Sequence, residues 1–117
     1  MIPFCSFDPK KVSKIALGAI VDDGHIRFVI NSSGNARPMY YLNEHIGNIF
    51  KDNIPVIWNS SFMKQVRALG YVPDMCRGCK YINICKGGSR VASKIIGGDY
   101  TALDYLSQPL KYEEYLK

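Results

Sequence analysis

Three of the four cysteines in the chain lie within a stretch of ten residues. Cys76, Cys79 and Cys85 follow the pattern C-x2-C-x5-C, and Cys5 stands apart near the N-terminus. Three thiols so close together pair poorly as disulfides, because one of them must find its partner elsewhere. A C-x2-C turn, eased by Gly78, can instead direct both sulfurs at one ion or cluster. The spacing therefore predicts a thiolate site for zinc or for an iron–sulfur cluster.

The charge of the same segment favours a metal site. Residues 64–94 contain seven Lys and Arg and one acid, a local balance of +6, whereas the whole 117-residue chain carries +5. Thiolates around a metal leave the site anionic, so we expect these cations to lower the thiol pKa values and to offset that charge. Nucleic-acid binding would also use such a segment. It is the weaker explanation, because charge compensation needs no further partner.

The composition is that of a small globular domain. With 47% hydrophobic and 21% charged residues, the chain is neither a disordered polyelectrolyte nor a collagen-like repeat. No stretch approaches the ~18 consecutive apolar residues of a membrane span. The N-terminal sequence MIPFCSFDPKK lacks the pattern of a signal peptide. We therefore expect a cytoplasmic location, with no membrane partner and with few disulfides.

Strands are expected before the cysteine loop and helices around it, which makes the predicted class α+β. Alternation and turn residues predict a small antiparallel meander, with strands at 14–21, 25–31 and 36–41. Apolar periodicity and helix-end residues predict the helices, at 54–69, 89–96 and 99–106. We expect Gly47 and Asn48 to interrupt the chain between these two parts.

The longest predicted helix carries a core-facing stripe. Asn53 and Pro55 mark its start and Gly70 its end. The stripe consists of Ile54, Ile57, Phe62, Val66 and Leu69. After the cysteine loop, Gly87 and Gly88 indicate close backbone packing rather than a phosphate-binding loop.

The cysteine loop resembles a known family. Residues 73–90, PDMCRGCKYINICKGGSR, resemble the cluster-binding region of SPASM domains. These domains are C-terminal extensions of radical S-adenosylmethionine (SAM) enzymes that modify peptides and proteins. Upstream, the segments INSSGNARPM and IGNIF are similar to the same family, and downstream so is GGDYTALDYLSQP. The resemblance runs from about residue 14 to residue 109.

The chain also departs from the fullest form of that family, which carries seven cysteines and two clusters. Four of the seven positions hold no cysteine here, and they correspond to Val21–Asp23, Met39, Ser89 and Ser107. The resemblance implies that one cluster site is lost. It also implies that the other keeps Cys76, Cys79 and Cys85, with Ser107 at the place of the fourth ligand.

The fourth ligand is open to three candidates. Cys5 is one, because the family often carries a Pro-x-Cys element just before this domain. Ser107 is another by its position, and His25 is a third by its chemistry. His45 carries no signal of its own. The predicted cofactor-binding set is Cys76, Cys79, Cys85 and Cys5, and the first three of these form the predicted metal site.

The resemblance implies a function without catalysis by this chain alone. Radical SAM chemistry needs a C-x3-C-x2-C site, which the sequence lacks. We therefore expect an auxiliary 4Fe-4S domain whose partners are a radical SAM catalytic domain and a peptide or protein substrate. A structural zinc module and a metal-free interaction module are the alternatives. The expected organisation is a lead-in segment (1–12), a SPASM-like domain (13–109) and a C-terminal tail (110–117).

Overall fold

The computed structural model describes residues 3–7, 11, 24–38, 44–107, 109–111 and 113–117. These residues fall into two compact units, one within Asp22–Gly70 and the other within Met1–Val21 and Tyr71–Lys117. Three short strands precede the helices in the described part of the chain, which confirms the α+β class. The strand predicted at 14–21 and the end of the strand predicted at 36–41 lie outside the described residues. No described helix is long and apolar enough to cross a membrane.

The unit within Asp22–Gly70 contains an antiparallel three-stranded sheet. Its strands, in spatial order, are β1 (Val29–Ile30), β2 (Asn35–Arg37) and β3 (Gly47–Asn48). The central strand pairs Ala36 with Ile30 on one side and with Gly47 on the other. Ala36 is fully buried, so the middle of the sheet belongs to the core of this unit.

Two expectations about the sheet are corrected. β1 is much shorter than the predicted 25–31 because turns lie at both of its ends. Before it, the N–H of Gly24 donates to the carbonyl of Arg27 at 2.8 Å, and Ile26, expected on a buried face, lies in this turn and is 76% exposed. After it, the Asn31 side chain accepts the N–H groups of Ser33 and Asn35. Gly47 joins a strand instead of interrupting the chain. A Cβ at Gly47 would lie 2.7 Å from Ile57 Cγ1, so the missing side chain lets a helix approach the sheet closely.

Two helices replace the single helix predicted over 54–69. They are α1 (Ile54–Trp58) and α2 (Ser61–Arg67). Asn59 ends α1, and its side chain donates to the carbonyl of Pro55 at 2.8 Å. Ser60 then takes an extended conformation with ψ 155°. The hydrogen bond of the Asn59 side chain to the backbone competes with helix continuation, which explains the break.

The apolar stripe of these helices is only partly buried. Ile57 and Val66 lie in the core as predicted, but Ile54 is 51% exposed. Met63, which the stripe omitted, is fully buried. The predicted start of the helical segment is confirmed, since Asn53 caps α1. The predicted end at Gly70 is not confirmed, because Leu69 rather than Gly70 adopts the left-handed conformation.

The second unit builds the surroundings of the cysteines. Its helices are a short 3-10 helix (Asp74–Cys76), α3 (Ile82–Cys85), α4 (Arg90–Gly97) and α5 (Glu113–Leu116). α4 confirms the helix predicted at 89–96. The helix predicted at 99–106 is wrong, since that segment forms turns and bends. There the Asp99 carboxylate accepts the N–H of Thr101, and Asp104 accepts that of Leu106, which favours turns over a helix.

Candidate metal centre

The four cysteines of the chain line one cavity. Cys5, Cys76, Cys79 and Cys85 border a space of about 270 Å³, and Ser107 borders it as well. None of these four cysteines forms a disulfide; three are buried and Cys79 is half-buried. A water molecule occupies about 30 Å³ in the liquid, so the cavity has room for a group of several atoms. In the part of the chain that the structure describes, no three His, Cys, Asp or Glu side chains are grouped so that they could hold one metal ion.

Local backbone geometry places the three cysteines of the loop. Cys76 ends the 3-10 helix, and the N–H of Cys79 donates to the Cys76 carbonyl at 3.2 Å. Between them Gly78 adopts φ 82°, in the left-handed region where a side chain is unfavourable. Cys85 is the last residue of α3. The tight C-x2-C turn expected from the sequence is therefore confirmed.

An aromatic stack brings Cys5 to the same cavity. The ring of Phe4 lies parallel to that of Tyr81, with centroids 4.7 Å apart and planes inclined by 7°. Next to it Pro3 is fully buried, and a Cβ on Gly88 would stand 2.7 Å from the Pro3 ring. The close packing predicted at Gly88 is thus confirmed. Its role is to let the N-terminal segment reach the cysteine loop.

Burial controls the protonation of the two most enclosed thiols. The pKa of Cys76 is raised from 9.0 to about 11, first by burial and then by the neighbouring thiols of Cys5 and Cys85, while Arg90 opposes the shift. The pKa of Cys85 is also raised by burial, although the backbone N–H groups of Phe4, Gly88 and Gly87 hydrogen-bond its sulfur and act in the other direction. For these two thiols the expected lowering by flanking cations is overturned, because desolvation is the larger effect.

The two serines at family cysteine positions differ in their roles. Ser89 caps α4, since its Oγ accepts the N–H of Ala92 at 3.1 Å, and Ser is a preferred residue at that position. Ser107 borders the cavity, and its Oγ is buried without a hydrogen-bond partner. An unpartnered buried hydroxyl leaves Ser107 available to a group in the cavity.

The other positions named from the sequence lie in the other compact unit or outside the described residues. His25 and His45 belong to the unit within Asp22–Gly70. Met39 and the positions Val21–Asp23 lie outside the described residues.

Two residues near the cavity were missed by sequence reasoning. Nothing in the sequence pointed to a role for Phe4 apart from its position next to Cys5. Arg90 was one of seven cations in a basic segment, yet it is only 6% exposed. Others in that segment are surface residues with local contacts, such as Arg77, which pairs with Asp74 at 3.0 Å.

A comparison with protein families assigns the chain. The model of the SPASM family, described as an iron–sulfur cluster-binding domain, matches residues 22–80, just over half of the 117 residues. The match includes Cys76 and Cys79 and ends before Cys85. No curated protein and no solved structure matches the chain. SPASM domains occur in radical SAM enzymes as auxiliary domains. With its cysteines gathered at one cavity and this match over more than half its length, the chain belongs to the SPASM family of iron–sulfur cluster-binding domains.

Proposed function

We propose that the chain binds one 4Fe-4S cluster through Cys5, Cys76, Cys79 and Cys85, as an auxiliary and substrate-binding domain of a radical SAM enzyme. The observation that carries this proposal is that Cys5 borders the same cavity as the three cysteines of the loop. Four thiolates are the usual ligand set of a 4Fe-4S cluster. Cys5 would thus replace the ligand that the family places at the position of Ser107.

The cavity suits the cluster in volume and in hydrogen bonding. A space of about 270 Å³ exceeds what a single zinc ion would need, because zinc holds its thiolates at about 2.3 Å. The sulfur of Cys85 accepts backbone N–H groups from Phe4, Gly87 and Gly88. Such bonds stabilise a metal-bound thiolate and tune the potential of the cluster. The volume supports a cluster rather than zinc, whereas the hydrogen bonds suit a metal-bound thiolate of either kind.

The proposed role is accessory. When bound, the cluster supplies a one-electron carrier. The chain contributes the thiolates, a buried site that limits the access of water, and a surface for a peptide. Radical initiation would come from a separate catalytic domain, since this sequence has no C-x3-C-x2-C site. The occurrence of SPASM domains in radical SAM enzymes supports this partner.

The first test is metal analysis of protein purified and reconstituted without oxygen. We expect a brown protein with roughly four irons and four sulfides per chain. One zinc and no iron, even after reconstitution, would instead identify a structural zinc module. A folded protein that takes up neither metal would be a metal-free scaffold, and the proposal would be wrong.

Paired variants identify the fourth ligand. We expect Cys5→Ala to lose at least one iron per chain, because a cluster corner is left without its thiolate. Ser107→Ala should keep the iron content of the wild type. The double variant Cys5→Ala with Ser107→Cys should regain four irons, since it restores the ligand arrangement of the family. Iron loss in Ser107→Ala but not in Cys5→Ala would assign the ligand to Ser107 instead.

The partner is tested separately. The cluster-loaded chain should retain a radical SAM catalytic domain or its peptide substrate on an affinity column. Absence of binding to both, with the cluster intact, would refute the partner while leaving the cluster site standing.

A further inference from the structure

Arg90 is a buried cation beside the cysteine cavity. It is the first residue of α4 and only 6% exposed. Its guanidinium lies against Gly87, two residues after Cys85: a Cβ on Gly87 would be 3.2 Å from Arg90 Nη2. The charge of this side chain is therefore held next to the cysteine loop and away from water.

Backbone carbonyl groups accept hydrogen bonds from some, but not all, of the N–H donors of the Arg90 guanidinium. Nη1 donates to the carbonyls of Tyr71, Tyr100 and Ala102, at 3.3, 2.6 and 2.9 Å. Nη2 donates to the carbonyl of Gly87. Nε is buried and has no hydrogen-bond partner. These bonds fix the position of the guanidinium, but carbonyl groups do not neutralise its charge.

No carboxylate of the described residues lies within ion-pair distance of Arg90. The buried Asp104 acts on it only from farther away, and its two oxygens accept the N–H groups of Ser89 and Leu106. Isolated buried charges are strongly unfavourable. Gly87, whose carbonyl accepts from the guanidinium, lines the same cavity as Cys76 and Cys85. The thiolates of the proposed cluster are therefore nearby negative charges that Arg90 could balance.

We propose, on the basis of the proposed function, that Arg90 is the buried counter-charge of the cluster and raises its reduction potential. One-electron reduction adds a negative charge to the site, and a fixed cation nearby stabilises the reduced state. Solvent does not screen this interaction effectively, because the guanidinium is buried. Arg90 is a positioning residue for charge and does not bind iron.

The test measures the reduction potential of the cluster in the full chain by anaerobic redox titration with electron paramagnetic resonance. We expect Arg90→Gln to shift the reduced-to-oxidised equilibrium at least tenfold towards the oxidised form, a fall of 59 mV for a one-electron couple. Arg90→Lys, which keeps the charge, should remain within a tenfold change of the wild type. The matched control is Lys94→Gln, which removes an exposed cation from the same helix and should leave the potential unchanged.

The outcomes separate this inference from the proposed function. A wild-type chain that takes up no iron would overturn both. A loaded Arg90→Gln chain with the wild-type potential would overturn only the role of Arg90, as would equal falls in Arg90→Gln and Arg90→Lys. If Arg90→Gln does not fold, citrulline at position 90, introduced by ligating a synthetic 85–117 segment at Cys85, removes the charge and keeps most donors. The same fall in potential is expected.

Discussion

At the scale of single residues, the two enclosed thiols show how burial and charge compete. Arg90 favours the thiolate of Cys76, yet the pKa of Cys76 is about 11 because the cavity withdraws the sulfur from water and other thiols lie nearby. In the metal-free chain both Cys76 and Cys85 are therefore neutral at pH 7. Metal binding must displace their protons, which couples uptake of the metal to pH.

This shift predicts a pH dependence of stability in the metal-free chain. The folded state keeps the proton of Cys76 up to about pH 11, whereas an unfolded chain releases it near 9.0. The unfolded state thus binds fewer protons over this range, and the free energy of unfolding should fall by about 2–3 kcal/mol as pH rises through it. Urea denaturation at several pH values measures the effect.

The control for this experiment is Cys76→Ala. Lys and Tyr residues also titrate above pH 9, so the expected result is a smaller fall in the variant than in the wild type. Equal slopes in the two proteins would show that Cys76 ionises as easily in the folded chain as in the unfolded one.

At the scale of elements, the N-terminal segment and the turn after α3 depend on each other. Gly88 adopts φ 85°, and a Cβ there would lie 2.7 Å from Pro3 and 2.8 Å from the Asp104 carboxylate. Gly98, which ends α4, has nearly the same φ of 82° but no atom within 4 Å of such a Cβ. A comparison of alanine substitutions at these two positions therefore distinguishes the effect of backbone strain from that of steric crowding.

We therefore expect Gly88→Ala to be more harmful than Gly98→Ala. Both variants carry the left-handed strain of about 1 kcal/mol. Only Gly88→Ala must also displace Pro3, and with it the segment that bears Cys5. Chemical denaturation should show an additional loss of about 1–3 kcal/mol for Gly88→Ala, and iron content after reconstitution should fall. Equal losses of stability and iron in the two variants would contradict the close packing of the N-terminal segment.

Cysteine spacing and turn residues were enough to predict the class, the tight C-x2-C turn and α4, because these depend on short stretches of chain. The limits of α1 and α2 were not predictable from periodicity, since the Asn59 side chain and the extended backbone at Ser60 separate the two helices. Ser89 looked like a lost ligand, and the structure shows that it caps a helix. The placement of Cys5 and the burial of Arg90 depend on packing between distant segments, which spacing does not encode.

At the scale of the whole molecule, the cysteine-bearing unit has a core that is partly polar. Its buried residues include Arg90 and Asp104 as well as the thiols of Cys5, Cys76 and Cys85. Such groups stabilise a fold only when their partners are in place. Asp104 already accepts the N–H groups of Ser89 and Leu106. A bound cluster would bind the thiolates and offset the charge of Arg90, so metal content and folding should be linked.

Cluster loading should therefore raise the melting temperature of the chain. A group that binds only the folded state stabilises it by about 2.7 kcal/mol at a hundredfold excess over its dissociation constant. Anaerobic calorimetry before and after reconstitution measures the change, and a chelator with an oxidant should reverse it. Cys85→Ala is the control and should gain nothing from the same treatment. A wild-type chain that melts identically with and without iron would show that its fold does not depend on the metal.

The approach of Cys5 to the cysteine loop has a consequence for chain topology. Cys5 and Cys76 are 71 positions apart, and a cluster bound to both would close that stretch into a ring that contains the whole sheet-bearing unit. By the loop-entropy rule for disulfides, such a closure lowers the conformational entropy of the unfolded chain and raises its free energy by about 4 kcal/mol. A protease that cuts once between residues 7 and 75 would then open the ring without releasing a fragment, and the two pieces would separate only after the iron is removed.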